Sequence, residues 1–224
     1  TEAITGEDLV EWQLRVASGE TLPKQQSELK IIGHAIEARI CAENPDNNFL
    51  PATGTLHVYR KPRCVNFERG DVRVDDGVRE GDAISPFYDS MIAKLIVHGD
   101  SREQALARMD EALAQTQVVG LATNVQFLRL VVRSPSFAKA NLDTALIPRE
   151  ADVLFKQETV GIPLAVASVV ANVLHGETEG QGADPFSHRD GWRSLGVYQR
   201  PFDFEYAGRS VTGSLSYLAT GQYV

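Results

Sequence analysis

The residues best suited to chemistry in this chain lie between positions 72 and 95. The first run is Val72-Arg73-Val74-Asp75-Asp76-Gly77-Val78-Arg79-Glu80-Gly81-Asp82. The second is Ser85-Pro86-Phe87-Tyr88-Asp89-Ser90-Met91-Ile92-Ala93-Lys94-Leu95. Together they read as a charged strand, a glycine turn, a corner of proline, aromatic and acid, and a second strand with Lys94 in its interior. Arg73, flanked by valines on a strand, would sit on rigid scaffolding. From there a planar guanidinium offers a fixed fork of donors to a carboxylate, a bicarbonate or an enolate oxygen. The same pattern suits an interstrand salt bridge between Arg73 or Arg79 and a nearby acid, and residue chemistry alone favours that reading for each arginine. Tyr88 and Asp89 read as packing and backbone-capping residues at a strand-entry corner, and Glu37 with Arg39 as a cross-strand charge pair.

Other chemistries find little support. There is no P-loop, G-x-G-x-x-G, G-x-S-x-G or H-E-x-x-H run. The five histidines are scattered, so no metal site is assigned, and His34 reads as a hydrogen-bonded core histidine. The two cysteines, Cys41 and Cys64, form no C-x-x-C and read as thiols in a reducing compartment. A formal net charge of −8 over 224 residues offers no basic stripe for nucleic acid. With 43% hydrophobic and 23% charged residues the balance is that of a soluble globular protein. The longest apolar stretch, Ile162 to Leu174, contains Pro163, is too short to span a bilayer and reads as a buried helix. No signal peptide is recognised.

The elements that would position Arg73 follow from periodicity. Thr5-Gly6-Glu7-Asp8 reads as a helix start with Thr5 as N-cap, with Leu9, Trp12 and Val16 on one face, a Glu11–Arg15 pair and Gly19 as the left-handed C-cap. Lys30 to Glu43 alternates as a strand, with Ile32, His34, Ile36, Ala38 and Ile40 on one side. Further strands are expected at Gly54–Tyr59, Val72–Arg79 and Met91–His98; four strands with short connections suggest an antiparallel sheet. A helix starting at Asp100-Ser101-Arg102-Glu103 would bury Ala105, Met109, Ala112 and Leu113, and another from about Asn124 to Arg133 would turn Val125, Leu128 and Val132 inward. Residues 151–175 read as helical, interrupted near Gly161–Pro163, and 176–184 as a glycine-rich linker. Short alternating runs then follow at Val197–Gln199, Phe202–Tyr206 and Val211–Leu218, with a turn at Ala207-Gly208-Arg209.

Several ordered blocks resemble biotin carboxylases. Thr1-Glu2-Ala3-Ile4-Thr5-Gly6-Glu7-Asp8-Leu9-Val10 resembles that family's T-E-x-I-T-G-x-D-L-V. Gly33-His34-Ala35-Ile36-Glu37-Ala38-Arg39-Ile40 with Ala42-Glu43 resembles its G-H-A-x-E-x-R-I-x-A-E. Phe49-Leu50-Pro51 with Gly54, Val72-Arg73, Tyr88-Asp89-Ser90-Met91-Ile92 with Lys94-Leu95, and Thr123-Asn124 resemble its later blocks. The resemblance covers residues 1 to about 148 and implies ATP-dependent carboxylation of biotin by bicarbonate. It assigns to Arg73 contact with bicarbonate and biotin and stabilisation of the biotin enolate. Asp190-Gly191-Trp192-Arg193 resembles a signature of acyl-CoA carboxylase α-subunits, where a helix and a small β-barrel attach the carboxyltransferase β-subunit. Asp76 to Asp82 and Ser85 to Asp89 look most like methylcrotonyl-CoA carboxylases, with geranyl-CoA carboxylases similar.

The expected fold is therefore α+β: an antiparallel sheet with flanking helices over residues 1–148, a helical segment and linker over 149–185, and the start of a β-rich subunit-association domain, a partial β-barrel, over 186–224. Both termini read as cuts through a longer polypeptide. The resemblance places the ATP-grasp domain, the general-base glutamate and the biotinylated lysine outside these residues. Biotin, ATP and Mg²⁺ are then expected to belong to the full-length enzyme, and the 224 residues alone to be inactive and to bind none of them. The implied partners are a carboxyltransferase β-subunit and a biotin carboxyl carrier domain in a hetero-oligomer, in bacterial cytoplasm or mitochondrial matrix. A non-catalytic assembly module of a geranyl-, propionyl- or acetyl-CoA carboxylase is the alternative.

Overall fold

The computed structural model describes residues 1–224 except 157–159, 180–181, 183, 185–186, 189–190, 207 and 219–221. The chain divides into two compact units, Thr1–Lys156 and Gln157–Val224.

The first unit opens with α1 (Glu2–Thr5) and α2 (Leu9–Ala17). The short α1 was not expected and ends on Thr5, and the expected helix starts later, with Asp8 rather than Thr5 capping α2, its Oδ1 accepting from the amides of Val10 and Glu11 at 3.0 Å. A carboxylate at the N-terminus also answers the helix dipole, which a threonine cannot do. The Glu11–Arg15 pair forms at 2.5 Å, and Gly19 follows the helix at φ 94°. The apolar stripe of α2 is only partly covered: Trp12 is half-buried, Leu9 and Val16 are 42% and 45% exposed, and no residue of the helix is buried; Val10 and Leu14, on another face, are exposed as well.

Strand β1 (His34–Cys41) alternates as read, with Ile36, Ala38 and Ile40 buried. His34 is exposed, contrary to the core expectation. It pairs with Gly99 at the sheet's end, beyond the last buried residue of its row. Gly33 before it holds φ 69°, and a Cβ there would lie 2.4 Å from the Gly99 carbonyl, so only glycine fits this entry to the strand.

Four short strands, β2 (Glu43–Asn44), β3 (Leu50–Pro51), β4 (Gly54–Thr55) and β5 (Val58–Arg60), come next. The expected strand over 54–59 is therefore broken. Leu56 plugs the core with no exposed surface, and its backbone bonds to Gly81 and Asp82 instead of continuing a ladder.

Strand β6 (Val72–Asp76), the short β7 (Ala83–Ile84) and β8 (Met91–Gly99) follow. The central sheet has the order β1-β8-β6 and is antiparallel throughout, pairing Ala38 with Leu95 and Val74 with Leu95. Helix α3 (Arg102–Gln115) packs on one face of this sheet, with Ser101 as its N-cap. It buries Ala105, Met109, Ala112 and Leu113 against Ile36, Ile40, Leu95, Val97 and Val74. Each large aliphatic side chain buried this way contributes ~1.5–3 kcal/mol.

Beyond β9 (Gln117–Val119), α4 (Val125–Arg133) turns Val132 into the same core. Its Phe127 joins a second cluster with Leu146 and Leu154, where Phe49 of the Phe-Leu-Pro block stands edge-on to Phe127 at 4.9 Å. The helices α5 (Pro135–Ala138), α6 (Leu146–Arg149) and α7 (Ala151–Leu154) close this unit.

Among its described residues the second unit is built on a helix and a hairpin. Helix α8 (Ile162–Glu179) runs through Gly176, so 176–179 belong to the helix and not to the expected linker. Val166, Val170 and Leu174 pack on Tyr198, Phe202, Leu215 and Tyr217 of β10 (Tyr198–Tyr206) and β11 (Arg209–Tyr217). The rest of α8 is not buried as expected: Ile162, Leu164 and Val169 face outward. Only one of its faces meets the hairpin. The runs at 197–199 and 202–206 form a single strand, paired with β11 from Tyr198↔Tyr217 to Tyr206↔Arg209. Two strands do not make the expected partial barrel, and no closed sheet is present among the described residues. Ala207 of the expected turn and Asp190 lie outside the described residues; Gly208 has φ 72°.

Candidate functional site

Strand alternation sends Val74 to the helices and turns Arg73 and Asp75 to the opposite, open face of the sheet. The strand is held on both edges. β8 pairs with it on one side, while on the other Val65 donates to the Val72 carbonyl and accepts from the Val74 amide. Arg73 is therefore carried on fixed backbone, as its setting between valines suggested.

The Arg73 side chain is only 16% exposed and is paired as well as positioned. Its Nε donates to both carboxylate oxygens of Asp75 at 2.8 and 3.0 Å, and its Nη1 donates to Glu2 Oε2 at 3.0 Å. Nη2 has no acceptor among the described residues. The bonds from Asp75 and Glu2 raise the arginine's proton affinity despite its partial burial. Burial opposes ionisation of Asp75, but the bond from Arg73, the Phe67 amide and the charges of Arg73 and Lys94 outweigh it and hold that carboxyl below the usual range.

Arg73 also lines a pocket of about 450 Å³, together with Arg69, Lys94, His98, Glu2 and Glu37. Both readings of Arg73 thus meet in one place: it is salt-bridged, and it faces an opening. Its bridges are not interstrand, however. Asp75 lies on its own strand and Glu2 on α1. Three carboxylates, Glu2, Glu37 and Asp71, share the lining with the three cations, so the site is mixed in charge, and its arginines offer donors to a bicarbonate-sized or carboxylate-bearing ligand. Among the described residues no group of three or more His, Cys, Asp or Glu side chains is gathered to hold a metal ion.

The remaining sequence candidates are placed elsewhere. Asp76, next to Asp75, points to the other face, where it accepts from the Tyr59 hydroxyl at 3.0 Å and pairs with Lys61 at 2.8 Å. Burial first, then the charge and hydrogen bond of Asp76, push the Tyr59 hydroxyl well up. Asp89 caps the start of β8 through the Met91 amide at 2.8 Å, as read, but Tyr88 is 89% exposed and packs no core. Both lie at the far end of β8, whereas Arg73 sits opposite Ile96. Glu37 and Arg39 meet at 3.5 Å along one strand rather than across two, and both are exposed. Arg79 lies past the end of β6 with its amide bonded to Asp82 at 2.9 Å. Cys41 and Cys64 are free and half-buried, and burial pushes both thiols up.

Asp75, Glu2 and Arg69 were not singled out by sequence reasoning. The Arg73–Asp75 spacing was the available signal for the first, because i and i+2 share a strand face. No local signal links Glu2 or Arg69 to Arg73.

Residues 37–149, half of the chain, match the biotin carboxylase C-terminal domain model. The mitochondrial methylcrotonoyl-CoA carboxylase subunit alpha of Dictyostelium discoideum is 42% identical over 201 residues, covering 89% of this chain and 28% of its own length. The corresponding Rattus norvegicus protein is 37% identical over 233 residues, covering 100% of this chain and 32% of its own. This chain thus spans about a third or less of the relatives it matches. Among solved structures, the biotin carboxylase domain dimer of Hydrogenobacter thermophilus 2-oxoglutarate carboxylase, in complex with MgADP, ADP and bicarbonate, matches with a TM-score of 0.64 and 35% identity, over 70% of this chain and 34% of that one.

Proposed function

Because the chain belongs to the biotin carboxylase C-terminal domain family, we propose that it is part of a biotin-dependent acyl-CoA carboxylase α-subunit and lends Arg73 to the ATP-dependent carboxylation of biotin by bicarbonate. The observation that carries this reading is a guanidinium fixed on β6, gripped from behind and facing an open pocket. The pocket's donors fit the anionic and ureido groups the reaction handles. Bound biotin supplies the ureido nitrogen that accepts the carboxyl group. Arg73 would bind bicarbonate through its Nη edge and neutralise charge developing on an oxygen, which a preorganised cation does with little reorganisation. Lys94 and Arg69 add positive potential to the same cavity.

ATP and Mg²⁺ are assigned to the whole enzyme, by analogy with the biotin carboxylase domain dimer solved with MgADP, ADP and bicarbonate. Methylcrotonyl-CoA is the acyl substrate best supported, by the relatives' names, and the same names favour the mitochondrial matrix over bacterial cytoplasm. We further assign residues 1–148 to the carboxylase C-terminal domain, 149–185 to a connecting segment, and 186–224 to the start of the region that joins a carboxyltransferase β-subunit. The biotin carboxyl carrier domain is the other partner. The outward Leu164 and Val169 of α8 favour that assembly role for the second unit.

In a full-length α-subunit carrying this chain, Arg73→Ala should lower the rate of biotin carboxylation by ~10²–10³-fold, the scale of a lost oxyanion donor. Wild-type turnover in that variant removes Arg73 from the reaction.

A further inference from the structure

We propose that Asp75 is the positioning residue for Arg73, gripping the guanidinium by its Nε edge so that the Nη edge is presented to the pocket. The inference rests on the role of Arg73 proposed above, and its test keeps the two apart.

An arginine can be held side-on through Nε and one Nη, or end-on through both Nη atoms. Side-on pairing takes one of the four terminal N–H donors and end-on pairing takes two. Asp75 does neither: both of its oxygens accept from Nε alone, at 2.8 and 3.0 Å. That leaves Nη2 without an acceptor among the described residues and Nη1 with Glu2. The carboxylate is itself immobilised. The Phe67 amide donates to Oδ1 at 3.0 Å, Lys94 on the neighbouring strand stands 3.9 Å from Oδ2, and the side chain is 9% exposed. Asp75 also shares the rigid strand with Arg73, two residues on and on the same face. Glu2 differs on each count. It makes one bond, is 37% exposed, and stands on a helix of four residues, so it balances charge without fixing the guanidinium plane.

Positioning matters because small displacements of a preorganised group cost rate steeply. In the full-length α-subunit, Asp75→Asn keeps the shape but weakens the grip. It should lower kcat/KM for bicarbonate by ~10–100-fold while leaving the KM for ATP within about twofold. Asp75→Glu, which restores the charge, should recover part of that loss. A second measurement needs no variant: in ¹⁵N NMR of the wild-type chain, the Arg73 Nε–H should exchange slowly with water, and added bicarbonate should move the Nη resonances more than Nε. Unchanged bicarbonate kinetics in Asp75→Asn, equal loss in Asn and Glu variants with the KM for ATP rising in parallel, or a rapidly exchanging Nε–H would each overturn the inference. If Arg73→Ala is inactive while Asp75→Asn behaves as wild type, only the positioning role fails. If Arg73→Ala turns over normally, the underlying function fails with it.

Discussion

Asn124 shows how a side chain in a motif can be structural. Its Oδ1 accepts from the Cys41 amide at 2.9 Å and its Nδ2 donates to the Arg39 carbonyl at 3.0 Å, while its own amide reaches the Cys41 carbonyl. One asparagine thus stands in for a missing neighbour strand on the free edge of β1, and it is 7% exposed. Replacing it with alanine strands two backbone groups. Asn124→Ala should therefore lower stability by about 2–3 kcal/mol, read as a shift in the urea midpoint, with Asn124→Asp intermediate because it keeps the acceptor. A shift below about 0.5 kcal/mol would mean that water replaces both bonds. The pairing of Asn124 with β1 was not legible, because residues 83 and 85 positions apart share no local pattern. The same limit hid Glu2 from Arg73. Asp75 was within reach of strand alternation, and His34 was misplaced because alternation assigns a side of the sheet but not where its cover ends.

Helices α3 and α4 are joined by charge as well as by packing. Asp110 accepts from Arg129 at 3.2 Å and from Arg133 at 2.7 and 2.8 Å, and these bonds outweigh burial to hold its carboxyl below the usual range. A depressed folded-state pKa gives stability that is complete above the unfolded value of about 4 and is lost as pH falls through the folded value. Tm should therefore fall as pH drops from about 5 to about 3, and the slope should be shallower in Asp110→Asn, which is already destabilised at pH 7. Identical slopes would place the acid sensitivity elsewhere, with Asp75 the next group to test, since it carries the same sign of shift. Elements with a strong period were legible: the four inward residues of α3 and the Ile36, Ala38 and Ile40 part of the β1 row are as expected, whereas Ile32 is exposed and lies before the strand. Elements set by tertiary contacts were not. The 54–59 strand breaks because Leu56 is drawn into the core, and α2 starts late because Asp8 outcompetes Thr5 as cap.

At the scale of the whole molecule, the first unit is covered on one side only. The sheet face opposite α3 carries the Arg73 pocket, and α2 presents Leu9, Val10, Leu14 and Val16 without a partner among the described residues. Val10 and Leu14 are one helical turn apart, so they form a continuous stripe, and apolar stripes of this kind promote association even in a protein with net charge −8. Val10→Glu and Leu14→Glu remove the stripe and raise the net negative charge, and the first also places an acid in the opening turn of the helix, where the dipole favours it. Since neither residue contributes to the core, the double variant should leave unfolding stability within ~0.5 kcal/mol of the parent. It should raise the monomer fraction measured by light scattering at high protein concentration. A loss of stability would mean that α2 is held by contacts its exposure does not suggest. Unchanged association at unchanged stability would move the sticky surface to another part of the chain, such as the outward Ile162, Leu164 and Val169 of α8.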